Sequence, residues 1–301
     1  MKTPWWFLRK TPIAFLLYPI AWIYYGVGRI VYMFRKMRAY QSRRPIICVG
    51  NILAGGVGKT PIVRQIATFL SAPVVMRGYK KTAQTNGAGD EALMLSRDGL
   101  QVHTGDRKSN IVLLNKQTGE SGPIVMDDGF QNPSIKKDVS ILVFDEGLGF
   151  GNGFLLPAGP LREPKRGAVR ADAIIVIRNS KPRKKFKLPD NIPTFYATNK
   201  TISPYKHGQK LFAFAGIGYP KKFFAALDNV VGRKAFPDHY QYTDADIDAL
   251  RNLARRRGAK LITTEKDWVR LPENVRDEIA FASLETTIDS EFYTWLKGAV
   301  K

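Results

Sequence analysis

Seven consecutive residues, Gly55, Gly56, Val57, Gly58, Lys59, Thr60 and Pro61, combine the types that can hold a phosphate chain. Glycines let backbone N–H groups turn toward an anion, a lysine here can reach the β- and γ-phosphates of a nucleotide, and the threonine hydroxyl can ligate magnesium. The general pattern has its first glycine five residues before Gly58. Leu53 stands there instead, so this is a variant loop with two glycines ahead of x-Gly-Lys-Thr. A second group lies in PIVMDDGFQ, residues 123–131, where a short apolar run ends in Asp127 and Asp128. Carboxylates at the end of a strand, opposite a loop threonine, are what magnesium-assisted phosphoryl transfer requires, although Asp-Asp-Gly is also an ordinary turn sequence.

A phosphate loop needs a strand before it and a helix after it. Ile46, Ile47, Cys48 and Val49 form a continuous apolar run, and Ile62, Val63, Ile66, Ala67 and Leu70 recur at helical spacing. Further short apolar runs at Pro73–Met76, Ile124–Met126, Ser140–Phe144 and 173–178 alternate with helical stretches, which predicts an α/β fold with a mostly parallel sheet and helices on both faces. Arg77 and Tyr79 follow one such strand, where side chains beside a phosphate loop can hold a substrate, or form a plain charged loop. Asp90 and Glu91 open a helix, and spacing alone makes them candidates for its N-terminal caps. Asp106 and Arg107 open another. Residues 149–164, GFGNGFLLPAGPLREP, make a loop too long for simple punctuation and contain Arg162 and Glu163.

A basic, proline-bearing stretch after the 173–178 strand marks a boundary. Beyond it come a strand, glycine turn and helix at 210–227, a turn with Asp238 and His239, a helix capped by Thr243 or Asp244, and a strand ending in Thr263 and Thr264. The expected division is an N-terminal helical segment at 1–40, a P-loop core at 41–190, an extended connector at 191–210 and a smaller α/β domain at 211–301. On its own, His239 reads as a turn residue flanking a helix.

The 301 residues carry 47 Lys and Arg against 26 Asp and Glu, a net charge of +21, which draws the chain to a polyanion: nucleic acid, a phosphorylated substrate or an acidic membrane surface. A single cysteine excludes an intrachain disulfide framework and suits a reducing compartment. From Trp5 to Phe34 the chain is crowded with aromatic residues and flanked by Arg35, Lys36, Arg38, Arg43 and Arg44. It lacks the uninterrupted apolar core and small-residue cleavage site of a signal peptide. Ile13–Tyr25 is short for a spanning helix and contains Pro19. A helix lying in the membrane interface fits best, with a spanning or a buried helix as alternatives.

GNILAGGVGKTP, RGY at 77–79, GDE at 89–91, DDGFQ at 127–131, GFGNGFLLPAGPLREP, FAGIGYPKKFF, DHY at 238–240 and TTEKD at 263–267 occur in order along nearly the whole chain. Together they resemble the tetraacyldisaccharide 4'-kinase family of lipid A synthesis. The resemblance implies a P-loop domain with an N-terminal membrane-contacting helix, joined by a β-ribbon to a smaller α/β domain. It implies an enzyme at the cytoplasmic face of the bacterial inner membrane, drawn to anionic lipids and not to nucleic acid. Its reaction moves the γ-phosphate of ATP to the 4'-hydroxyl of an acylated glucosamine disaccharide 1-phosphate. Gly55–Pro61 would bind nucleotide, and Lys59 would act in the transfer. Thr60 and Asp128 would hold magnesium, with Asp127, Glu91 and Glu163 as further candidates. Asp90 would act as base with His239, brought across from the second domain on closure, and Arg77, Tyr79, Arg107 and Gln131 would contact substrate. The rival readings are a regulatory P-loop NTPase, a nucleic-acid-associated ATPase and a kinase for a soluble sugar.

Overall fold

The structure is a computed structural model that describes residues 4–78, 89–117, 121–178 and 186–300. A 3-10 turn at Trp5–Leu8 leads to helices α1 (Pro12–Leu16) and α2 (Tyr18–Met37). Then follow β1 (Ile46–Gly50), α3 (Lys59–Leu70), β2 (Val74–Met76), α4 (Asp90–Arg97), β3 (Val102–Thr104), α5 (Arg107–Leu114), β4 (Ile124–Asp127), β5 (Val139–Asp145), β6 (Ala173–Ile177) and β7 (Thr194–Ile202). The remainder comprises β8 (Leu211–Ala215), α6 (Pro220–Ala225), β9 (Val230–Ala235), α7 (Asp244–Arg255), β10 (Lys260–Thr264), α8 (Glu265–Trp268), β11 (Ala280–Ile288) and α9 (Ser290–Ala299).

These elements form two compact units: one of Thr3–Arg77, Gly99–Asn199 and Thr286–Lys301, the other built from Gly78–Asp98 and Lys200–Glu285. In the first, the strand order is β3-β2-β4-β1-β5-β6-β7, with parallel pairing throughout. Every residue of β1 and β6 is buried, the signature of a parallel sheet covered on both faces. Connections run to one side of β1 through β2 and β3 and, after β4, to the other side through β5, so the order reverses about β1. Ligands in open α/β sheets bind at the carboxyl ends of strands at such a reversal. Gly50 ends β1 because a Cβ there would lie 2.6 Å from the Cβ of Phe130.

The second unit has the order β11-β10-β8-β9, again parallel. Phe212, Phe214, Tyr242, Ile247, Leu250 and Leu271 form one side of its core. Thr243 caps α7, accepting from the Asp246 N–H while the Asp246 carboxylate accepts from Thr243 N–H. The chain passes from one unit to the other within β7 and returns within β11. Set against the expected division at 190 and 211, α4 groups with the C-terminal residues and α9 with the P-loop unit. The packing explains both placements. Arg97 of α4 pairs with Glu265 and lies 4.4 Å over the Phe281 ring, while Phe292 of α9 is fully buried against Phe195.

Pro19 does not interrupt α2; it sits in its first turn, where a missing N–H costs nothing. Only Ala21 of the helix is buried, which excludes a core helix, and no helix among the described residues is long and apolar enough to cross a membrane. Ile20, Trp22, Ile23, Val27, Ile30, Val31, Met33 and Phe34 are exposed along it.

Candidate active site

The phosphate loop is strapped to the long loop at 149–164. Ala54 N–H donates to Pro160 O at 2.7 Å, Arg162 N–H donates to Ile52 O at 2.8 Å, and Leu53 bridges Leu161. The position where the general pattern has glycine is therefore a buried bridge, 3% exposed, that a leucine side chain fills. Gly55 has φ +114° and Gly58 φ +81°, conformations that disfavour side chains. Gly58 is also the N-cap of α3, so Lys59 and Thr60 begin the helix with their N–H groups unpaired within it. Pro61 follows in the first turn, where it is tolerated.

The turn after β4 faces this loop. Asp128 has φ +51°, and its N–H donates to Val49 O at 2.9 Å. Lys59 Nζ lies 3.2 Å from Asp128 Oδ1, and Arg162 Nη1 donates to both Asp128 oxygens at 3.1 Å. Burial alone would raise the Asp128 carboxyl, but Lys59 and Arg162 outweigh it and hold the group below the usual carboxylate range. Arg107 braces the same turn by donating to the carbonyls of Asp127 and Asp128 at 2.8 and 3.1 Å. Gln131 Nε2 donates to Asn51 O and to Glu163 Oε1, both at 2.8 Å, and Glu163 also pairs with Arg170. Arg107 and Gln131, read as substrate contacts, thus hold the loops in place. Asp127 is buried beside Asp128, whereas Glu163 is committed to Gln131 and Arg170.

A second cluster lies within the other unit. His239 Nδ1 is 3.1 Å from Asp90 Oδ2, at the start of α4. Gly89 is the N-cap of α4, and Asp90 and Glu91 follow as acidic residues in its first turn. The Asp90–His239 pair forms inside one unit, which corrects the expectation that closure of two domains would assemble it. Its near neighbour in sequence, Glu91, pairs with Lys266 at 3.6 Å and shares the unit of Asp90, not that of Thr60 and Asp128. His239 has φ +60° and is anchored by its N–H to Gly216 O at 3.0 Å. Burial opposes ionisation of Asp90, but the His239 hydrogen bond, Arg270 and Lys266 lower its pKa. An ionised carboxylate only accepts, so His239 Nδ1 carries the proton and donates. Arg77 is exposed after β2, and Tyr79 lies outside the described residues.

With this geometry in hand, the Tetraacyldisaccharide-1-P 4'-kinase family profile matches residues 13–301. The chain belongs to that family. Relatives named tetraacyldisaccharide 4'-kinase include one from Paramagnetospirillum magneticum, 38% identical over 96% of this chain and 95% of the relative. Another, from Rickettsia bellii, is 35% identical over 88% of each chain. The fold is that of a crystal structure of LpxK from Aquifex aeolicus in complex with ATP, with a TM-score of 0.76 at 22% identity, covering 96% of this chain and 99% of that one. Membership of the tetraacyldisaccharide-1-P 4'-kinase family makes the chain a kinase of lipid A synthesis and removes the regulatory-switch reading.

Sequence reading missed two arginines of these clusters. Arg162 was visible only as half of an Arg-Glu pair in a loop, though its place opposite an Asp-Asp turn is a charge argument that could have found it. Arg270, discussed below, reads as a basic residue between Val269 and Leu271. An arginine flanked by Trp268, Val269 and Leu271 has an apolar setting that demands a buried partner.

Proposed function

We propose that this kinase transfers the γ-phosphate of ATP to the 4'-hydroxyl of a tetraacylated glucosamine disaccharide 1-phosphate, working with magnesium at the cytoplasmic face of the bacterial inner membrane. The observation that carries the reading is the Lys59–Asp128 ion pair at 3.2 Å, set between a left-handed glycine loop and a helix N-terminus. Among the described residues, no heavy atom beyond the chain neighbours lies within 4 Å of where a side chain would begin at Gly55 or Gly56, which leaves room at the crown of the loop for a phosphate chain. Gly55–Pro61 would bind it through backbone N–H groups, with Lys59 on the terminal phosphates.

Thr60 and Asp128 would hold the metal, with Asp127 behind them. Among the described residues no cluster of three His, Cys, Asp or Glu stands ready for a metal. Magnesium keeps waters and takes one or two carboxylates plus phosphate oxygens, a demand that Thr60 and Asp128 could meet. When bound, it would neutralise charge on the phosphate oxygens. Arg162 adds a second fixed positive charge at Asp128. Asp90 takes the proton of the acceptor hydroxyl as the new O–P bond forms and the bond from the γ-phosphorus to the β–γ bridging oxygen breaks. A carboxylate with a lowered pKa is a weak base, which suits a loose transition state in which the hydroxyl loses its proton late. His239 holds Asp90 through its Nδ1–H.

A lipid with four acyl chains stays in the bilayer, and α2 supports an enzyme that comes to it. The apolar residues exposed along α2, with Arg35 and Lys36 in its last turn, suit the plane of an anionic interface. The test is ATP-dependent labelling of the lipid disaccharide in detergent micelles by the parent, Lys59→Ala and Asp90→Ala. Both variants should be slower by at least about 100-fold. Lys59→Ala at the parent's rate refutes the reading, and equal labelling of a deacylated disaccharide would favour a soluble sugar substrate.

A further inference from the structure

Arg270 is the largest fully buried side chain in the described protein. Its Nε donates to Asp90 Oδ2 at 2.8 Å, and its Nη1 donates to Gly216 O at 3.0 Å and Asp267 Oδ1 at 3.1 Å. Asp267 is fully buried too, and its oxygens also accept from Gly216 N–H at 2.9 Å, Tyr242 Oη at 3.0 Å and Thr264 Oγ1 at 2.6 Å. Gly216 suits this tight packing, since a Cβ would sit 3.1 Å from Asp267 Oδ1 and 3.0 Å from Pro237 O. The same Gly216 carbonyl that accepts from Arg270 accepts from His239 N–H. One guanidinium therefore fixes both members of the Asp90–His239 pair.

Two details distinguish this from a stabilising ion pair. Arg270 Nη2 is buried without a hydrogen-bond partner among the described residues, a cost that a core built for stability alone avoids by using apolar residues. Moreover, His239 and Arg270 both grip Asp90 by Oδ2, and among the described residues no hydrogen bond or ion pair falls on Oδ1. A carboxylate clamped at one oxygen presents the other in a fixed direction.

We propose that Arg270, itself anchored by Asp267, is a positioning residue that clamps Asp90 at Oδ2 and leaves Oδ1 to take the proton of the acceptor hydroxyl. The inference rests on the assignment of Asp90 as base. Arg270 never touches substrate; it acts through Asp90. It also keeps that carboxylate ionised against its burial. The other charged groups around Asp90 are already spoken for. On α4, Glu91 pairs with Lys266 and Arg97 with Glu265, while Asp238 Oδ1 lies 4.0 Å from His239 Nε2.

The experiment compares Arg270→Met, Arg270→Lys, Asp90→Ala and the Asp90→Ala/Arg270→Met pair in full-length protein with the lipid disaccharide in micelles. Arg270→Met should lower kcat roughly 10- to 100-fold, the effect of a misplaced group, with KM for ATP unchanged within about twofold. The acid limb of its kcat/KM profile should move up by about one pH unit, because a cation beside the carboxylate is gone. The paired variant should be no slower than Asp90→Ala alone. Arg270→Lys keeps the charge but loses the fork, so kcat falls while the acid limb stays, and this variant carries the test if Arg270→Met does not fold. A full-rate Asp90→Ala enzyme sinks the base assignment itself. With Asp90→Ala slow, any of three results overturns the role of Arg270: parent-like kcat in its variants, a paired variant slower by the product of the single losses, or, in Arg270→Met, a lower melting temperature with an unmoved acid limb.

Discussion

Replacing Asp128 by asparagine removes one charge from between two cations and leaves shape almost unchanged. Asparagine tolerates the left-handed backbone that Asp128 adopts at φ +51°, so the turn itself should survive. The carboxylate lies 3.2 Å from Lys59 Nζ and 3.1 Å from Arg162 Nη1. At an effective dielectric of about 20, each such pair attracts by about 5 kcal/mol before desolvation is subtracted. Burial cancels much of that, yet the carboxyl still titrates below its ordinary range, so the net effect favours the charged form. A hydrogen bond to a charged group contributes about 1.5–3 kcal/mol net, and the amide oxygen can still accept one, which puts the stability loss at about 1–3 kcal/mol. Function should suffer more. Lys59 would lose its resting partner, so ATP affinity should hold or tighten, whereas kcat should fall about 100- to 1000-fold with the loss of a charge that organises the transferring phosphate. Initial rates against ATP and against magnesium at saturating lipid, with denaturant melts alongside, read both effects. An unchanged magnesium titration with parent-like kcat would refute the assignment of Asp128.

Three further outcomes follow from the same geometry. Asp90 and Asp128 both have folded-state pKa values below those of the unfolded chain, so their contribution to stability is present above the unfolded carboxylate range and disappears as pH falls through the lowered values. Asp90→Asn/Asp128→Asn should therefore flatten the acid side of stability against pH below the ordinary carboxylate range, and an unaltered slope in urea melts would contradict the shifts. Ile23→Glu/Ile30→Glu, at positions 68% and 58% exposed on α2, should reduce flotation with anionic vesicles several-fold while circular dichroism is unchanged; flotation like the parent's would end the interfacial reading. Cys48 has zero exposure and burial pushes its thiol up to about 11, so a disulfide reagent should label it only as the chain unfolds; rapid labelling of native protein would show that β1 opens.

The parts of the fold that the sequence displayed are those where one physical cause dominates. β1, β4, β5 and β6 are buried parallel strands, and burial on both faces leaves continuous apolar runs that need no partner to be recognised. The loop at Gly55–Thr60 declares itself because its φ angles and its helix N-terminus restrict residue choice locally. Asp128 was visible for the same reason. The Asp90 cluster was not, because it is assembled from residues 149 and 180 positions apart, and such pairing leaves no periodicity to detect. His239 and Asp90 entered through family resemblance; spacing places Asp90 at a helix start, where it lies, but does not show the two long-range donors that hold it. Pro19, read as an interruption of the N-terminal apolar stretch, lies instead in the first turn of α2. Proline in a first turn breaks nothing.

The unit that holds Asp90 and His239 is drawn from two stretches, Gly78–Asp98 and Lys200–Glu285, with the β3–β7 region threaded between them. A ribosome adding about 5–20 residues per second finishes α4 roughly 10–35 s before Arg270 and His239 exist for it to meet. During that interval Ala92 and Leu95, both buried in the finished protein, have no permanent neighbours, and α4 at eight residues is too short to persist alone. Nascent chains of this enzyme must therefore carry the α4 segment unpaired and without stable helix through most of their synthesis. A fragment cut at residue 200 would inherit the strands of that unit without the helix that completes it.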